Sequence, residues 1–291
     1  MKNKKMTMAF VGYKEKYEQD EISVLAEKQV THHVKLSRWL VKLISFLSCS
    51  NKNVYHAIYG YLIRNKLRGI KDLDIIFSTD SLRDIKAISP LSIRKVLVFR
   101  NVTDGSLNKH LDDFDVFTFD SNDAERYGFK LTKAPLPLLS NIGVAPKPPR
   151  YDISFVGVDK GRADYINSIK SKLEDYSCHF LVFPNKPRLT YREYLSELLD
   201  ATCVLEVPID GQVGDTMRVK EALFSKRKIV SSNVSLYHHP LYTESNFLIY
   251  KDLDDLECRL RPFLGIPFDD SVVEKIAQYS VDNVYERLIA E

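Results

Sequence analysis

Short apolar runs rich in β-branched and aromatic residues recur along this chain, each followed by polar residues and then by a stretch of helical spacing. Such alternation is the pattern of βαβ units, which build a parallel sheet buried on both faces. In the first half, strands are expected at 8–11, 74–77, 95–99 and 115–119, with helices at 37–47 and 54–67. In the second half, strands are expected at 153–156, 180–183, 203–207, 228–230 and 247–249. Helices fall at 163–173, 191–199, 217–224 and 253–263, and a closing helix runs over 271–288. Between the halves lies APLPLLSNIGVAPKPPR, which holds five of the 12 prolines and no period of its own. Proline removes a backbone donor and restricts the residue before it, so this stretch reads as an extended linker. The expected fold is α/β, with two doubly wound domains facing a cleft. Residues 1–140 form the first, 151–270 the second, and 271–291 a C-terminal helix that packs back on the first.

At 291 residues, two ordinary domains fit the length. An apolar share of 44% and a charged share of 28% exclude disordered, collagen-like and coiled-coil classes. The four cysteines show neither CxxC spacing nor a pairing pattern, which fits a reducing compartment. No apolar run approaches the ~20 residues that span a bilayer, and the start lacks the features of a signal peptide. A cytoplasmic location is expected. The net charge of +3 hides a split: residues 1–150 carry 25 Lys/Arg against 16 Asp/Glu, and residues 151–291 carry 17 against 23. A basic half beside an acidic one points to separate partners, an anionic membrane or a phosphorylated substrate among them; solvated surface charge is the plain alternative.

Two stretches are suited to anions. In FVGVDKGR, residues 155–162, a strand ends in a short loop that sets Lys160, Gly161 and Arg162 before a helix, whose N-terminus concentrates free amides and positive partial charge. In GQVGDTMRVKEAL, residues 211–223, Gly211 and Gly214 permit close backbone approach and Asp215 or Thr216 caps the next helix. There the Thr216 and Met217 amides, the fork of Arg218 and the carboxylate of Glu221 face a ligand. A surface pair between Arg218 and Glu221 is the bland alternative.

These stretches resemble the donor domain of GT-B glycosyltransferases over about residues 151–250. FVGVDKGR is similar to the opening strand–loop–helix, where a Lys-Gly pair meets the donor diphosphate, and the later stretch with KIVSSN is similar to the glutamate–alanine helix and its following strand. A weaker echo is FDVFTFDSNDAERYGF, residues 114–129. The nearest likeness is to small bacterial enzymes that build capsule, lipopolysaccharide core or related surface glycans. The resemblance implies two Rossmann-like domains and transfer of a sugar from a nucleotide-diphosphate donor to a glycan or glycolipid acceptor at the inner membrane face. It implies donor binding by Lys160, Arg162, Gln212, Gly214, Thr216, Met217, Arg218 and Glu221, with Glu221 on the ribose. Val213 stands where the first glutamate of the retaining family's pair would be, with Gln212 beside it. No cofactor or metal is implied. An inverting reaction needs a base in the first domain, for which Asp120 and Asp123, with Asp80, each after an expected strand, are the candidates, a turn or cap role being the alternative for each. Arg100 and Asn101, after the KVLVF strand, are candidates for the acceptor, with packing or turn roles as the alternative.

His32-His33 and His238-His239 have no evident third metal ligand, and no GxSxG elbow is present. The aromatic residues form no stacking array with basic spacing, so no specific nucleic-acid partner is expected. HHVKLSRWLVKLISFL, residues 32–47, mixes basic residues with an apolar face and a Trp, a pattern that can lie on an anionic membrane or pack as a core helix. Two other readings stay open: a nucleotide-sugar epimerase of the same architecture, and a non-catalytic nucleotide- or glycan-binding partner in polysaccharide assembly.

Overall fold

The computed structural model describes residues 5–137, 148–185, 189–208 and 216–291. The chain divides into two compact units, Met1–Pro135 with Val284–Glu291, and Leu136–Asn283. The first unit runs β1 (Thr7–Val11), α1 (Lys16–Leu25), β2 (Val30–Val34), α2 (Arg38–Leu47), α3 (Lys52–Arg68), β3 (Ile75–Ser78), α4 (Leu82–Ile88), β4 (Arg94–Val98), β5 (Asp115–Thr118), α5 (Ser121–Tyr127) and β6 (Lys130–Leu131). The second runs β7 (Tyr151–Val158), α6 (Ala163–Lys172), β8 (Cys178–Phe183), α7 (Tyr191–Leu198), β9 (Ala201–Glu206), α8 (Met217–Phe224), β10 (Lys228–Ser231), β11 (Phe247–Ile249), α9 (Leu253–Gly265) and α10 (Ser271–Ile276). A last helix, α11 (Val281–Ala290), carries the chain back into the first unit.

Both sheets are parallel throughout. Their orders are β2-β1-β3-β4-β5-β6 and β11-β10-β9-β7-β8. In each, the second strand joins one side of the first and the third joins the other. That reversal opens a crevice at the strands' carboxyl ends, the usual ligand position in such sheets. Helices cover both faces, so the inner strands are apolar without a break: Met8, Ala9, Phe10 and Val11 are all buried, as are Ile75, Ile76 and Phe77. In β7, successive side chains serve opposite layers. Phe155 packs with Ile166 and Ile169 of α6 and Leu256 of α9, whereas Val156 packs with Leu195 of α7 and Val219 of α8.

The expected single helix over 271–288 is broken. Ser280 adopts an extended ψ of 148° after a 3-10 turn at Ala277–Tyr279. There the Leu136 amide donates to the Tyr279 carbonyl (2.8 Å) and Leu136 bridges Ser280, while the Ser280 hydroxyl accepts from the Asn283 amide (3.3 Å) and starts α11.

One glycine sets the crevice of the first unit. Gly12 follows β1 at φ +88°, and a Cβ there would lie 2.6 Å from Thr79 Oγ1 and 3.0 Å from Asp84 Oδ2. Both atoms belong to buried side chains. Gly12→Ala is therefore expected to destabilise the protein by about 1–3 kcal/mol, from the left-handed backbone alone, before any repacking around Thr79. Urea unfolding of the variant checks it; unchanged stability would mean the turn relaxes freely.

Candidate functional site

The crevice of the second unit opens between the ends of β7 and β9. The loop after β7 turns on two left-handed residues, Lys160 (φ +49°) and Gly161 (φ +81°). Lys160 is exposed there. Asp159 caps the entry to α6, its Oδ1 accepting from Arg162 N (2.8 Å) and Ala163 N (2.7 Å).

Arg162 spans the crevice. Its guanidinium lies over the Phe155 ring (5.3 Å to the centroid) and donates to three carbonyls, those of Asp159 and Val158 on β7's side and Val207 just beyond β9. Burial, and then repulsion from Arg218, push its pKa down. A half-buried guanidinium bonded, among the described residues, only to neutral acceptors is a cation with room for an anion.

Arg218 differs. Its Nη1 donates to Glu206 Oε2 (2.6 Å) and its Nη2 to the Val156 carbonyl (3.2 Å). Glu206 is 2% exposed and Arg218 9%, so this is a buried ion pair. The i, i+3 pair with Glu221 is not formed. The Glu221 carboxylate instead accepts from the hydroxyls of Tyr191 (2.6 Å) and Tyr194 (3.3 Å), and burial raises its pKa. Thr216 occupies the N-cap of α8 with an extended backbone, and its buried Oγ1 has no hydrogen-bond partner among the described residues. Met217 opens the helix. Gln212 and Gly214 lie outside the described residues.

In the first unit, Asp120 caps α5, its Oδ1 accepting from Asn122 N (2.9 Å) and Asp123 N (3.1 Å). Asp123 Oδ2 accepts from Thr103 N (2.9 Å), and burial raises its pKa. Arg100 is engaged with Glu21 through two bonds of 2.7 and 3.1 Å. Asn101 reaches Asp80 at 3.5 Å.

Sequence reading missed a pocket of about 500 Å³ at the carboxyl ends of β1 and β2. Lys14, Lys35, Arg38, Lys42 and Arg83 line it. His33 lines it too, its Nε2 donating to the Tyr13 carbonyl (2.7 Å), which fixes the tautomer and leaves Nδ1 as the acceptor. Burial lowers the His33 pKa, so the ring is neutral at pH 7. The signal available in the sequence was Gly12 directly after the first strand, with basic residues clustered just past the two histidines. Among the described residues no group of three or more His, Cys, Asp or Glu side chains is placed to hold a metal ion, and no helix is long and apolar enough to cross a membrane.

No family model matches the sequence. No curated protein matches it either. Solved structures do. The chain is similar to AviGT4, a glycosyltransferase involved in avilamycin A biosynthesis, at 14% identity and a TM-score of 0.59, over 98% of this chain and 96% of the other. It is similar to a UDP-GlcNAc 2-epimerase of Methanocaldococcus jannaschii at 15% identity and a TM-score of 0.51, over 94% and 99%. A third likeness is to the spinosyn forosaminyltransferase SpnP, at 12% identity and a TM-score of 0.50, over 99% and 100%. Two parallel-sheet α/β units, matched over nearly their whole length by such enzymes, give this chain the GT-B fold.

Proposed function

We propose that this protein is a glycosyltransferase that moves a sugar from a nucleotide-diphosphate donor, bound by the second unit, to an acceptor bound by the first. The observation that carries the reading is Arg162: a half-buried guanidinium with no carboxylate bonded to it among the described residues, set at the sheet's reversal point. With Lys160 it supplies positive charge where a leaving diphosphate develops negative charge, the electrostatic route to transition-state stabilisation. Thr216 Oγ1 and the Met217 amide at the start of α8 complete the phosphate contacts. Arg218 supports them from its ion pair, and Glu221, presented by Tyr191 and Tyr194, meets the ribose. Asp120 and Asp123 are the carboxylates from which a base would come. In this reading no metal is needed, and added magnesium leaves donor binding unchanged. The acceptor is a bacterial surface glycan or glycolipid at the inner membrane face, supported by the basic first half and the exposed Trp39 and Phe46 of α2.

Thermal shift against UDP-, GDP-, TDP- and CMP-sugars tests the donor site, since a bound ligand raises apparent stability by mass action. One of the three diphosphate-sugar classes is expected to stabilise the protein, CMP-sugars are not, and Lys160→Ala should weaken binding about tenfold without changing ligand-free stability. No shift with any of them, or equal shifts in wild type and variant, would sink the assignment. The epimerase likeness favours a second reading, because that structure holds UDP-GlcNAc and UDP. An epimerase would convert the donor sugar with no acceptor present, which product analysis detects.

A further inference from the structure

The basic pocket of the first unit has a composition that the donor reading does not use. From residue 28 to residue 71 the chain has nine Lys/Arg and no Asp/Glu. This stretch folds into β2, α2 and α3, and three of its cations, Lys35, Arg38 and Lys42, line the pocket. Among the described residues no carboxylate lies within ion-pair distance of these three. Two acids are bonded to residues of the pocket, and both are engaged: Glu18 Oε2 accepts from Lys14 N (2.6 Å) and Glu15 N (2.8 Å), and Asp84 is held more fully. It accepts from the Tyr59 hydroxyl (2.6 Å) and pairs with Arg83 and Lys14, both at 3.3 Å. With Lys14 and Arg83 paired to Asp84, the three remaining cations, Lys35, Arg38 and Lys42, leave the pocket positive.

Its volume of about 500 Å³ suits a small ligand. Val34, Leu36 and Val41 give it apolar wall as well, and the neutral His33 ring offers an acceptor nitrogen. A ligand that satisfies all three carries a negative charge, a hydroxyl and an apolar body. The outer side of α2 continues the apolar character: Trp39, Phe46 and Leu47 are 70%, 79% and 58% exposed, and of this helix only Ile44 is buried.

We propose that this pocket binds a phosphate-bearing acceptor, its phosphate held among Lys35, Arg38 and Lys42. The word acceptor rests on the transferase reading; the phosphate site does not. The phosphate can belong to a soluble sugar phosphate or to a lipid head group, and the same chemistry recognises both.

Inorganic phosphate and phospholipid vesicles are the probes. Lys35 and Arg38 are exposed, so Lys35→Gln with Arg38→Gln should leave the fold intact, which circular dichroism checks. Calorimetric titration with inorganic phosphate should show affinity about tenfold or more weaker in this double variant. Sedimentation with phosphatidylglycerol vesicles, with phosphatidylcholine as the control, then separates the sources. Loss of both phosphate and vesicle binding assigns a lipid-borne phosphate, and loss of phosphate binding alone assigns a soluble one. Unchanged phosphate affinity in the double variant overturns the proposal, including when vesicle binding falls, because that result leaves only general surface attraction. Donor-induced stabilisation should survive in the double variant. Its absence in wild type would sink the transferase reading and leave the phosphate site standing.

Discussion

Arg218→Ala is expected to cost the second unit about 3–5 kcal/mol of stability, because it leaves the Glu206 carboxylate buried without its ion-pair partner. The variant removes more than a charge. The Arg218 guanidinium lies over the Phe155 ring (4.9 Å) and donates to the Val156 carbonyl, so a packing layer and a satisfied backbone acceptor go with it. Lys160→Ala is the contrasting case. Lys160 is exposed, and its truncation should fall within about 0.5 kcal/mol of wild type while weakening donor binding. Urea unfolding beside donor titration reads both quantities. A third variant separates charge from volume: Arg218→Met combined with Glu206→Leu replaces the pair by apolar residues and should recover most of the lost stability. If Arg218→Ala is as stable as wild type, the Glu206 pair does not hold this end of the sheet. If the apolar double variant regains stability and also keeps full donor affinity, Arg218 contributes nothing to the phosphate site.

The inner strands were legible because burial on both faces makes them continuously apolar, and β1, β3, β4 and β5 all fall where such runs occur. β2 was not, for the opposite reason. VTHHV is an edge strand, exposed or half-buried over its first four residues, and holds two histidines. α1 escaped because its inner face includes Glu18 and Glu21 among the buried residues, so charge interrupts the helical stripe. α4 and α5, at seven residues each, are too short to establish a period. In the second unit, the spacing of Lys160 and Arg162 before a helix located the loop. It did not reveal that the Asp159 side chain takes the amides of Arg162 and Ala163, because that depends on the turn's actual path. Arg218 shows the same limit. Sequence spacing offers Glu221 as the neighbour, whereas its partner Glu206 comes from an adjoining strand, a contact made only by the sheet. The basic pocket required β1, β2, α2 and α4 to meet, and no local pattern encodes that meeting.

Glu21→Ala is expected to destabilise the first unit by a similar amount, about 3–5 kcal/mol. Glu21 is fully buried, and its carboxylate accepts two bonds from Arg100 and one from the Tyr285 hydroxyl (2.9 Å). The Tyr285 hydroxyl is also 3.0 Å from that of Tyr13, and the Tyr285 ring packs edge-on against Phe77 (5.0 Å) and Phe10 (5.9 Å). One carboxylate thus fastens α1, β4's exit and the returning α11 at a single point. Without it, Arg100 is a buried cation whose Nε already lacks a partner among the described residues. Tyr285→Phe should cost less, about 1–2 kcal/mol, since it removes hydrogen bonds and keeps the ring. Hydrogen exchange resolves the two units. In Glu21→Ala the amides of β1, β3 and β4 should lose protection while those of β7 and β9 keep it. Equal loss in both sheets would mean that the units unfold together, and no loss in the first would mean that Arg100 finds another counter-charge. The outcome also decides how Arg100 acts. If Glu21→Ala exposes it, acceptor binding and stability change together, as expected for a residue whose guanidinium is committed to holding α11 in place; acceptor affinity lost at full stability would instead put Arg100 in contact with the acceptor itself.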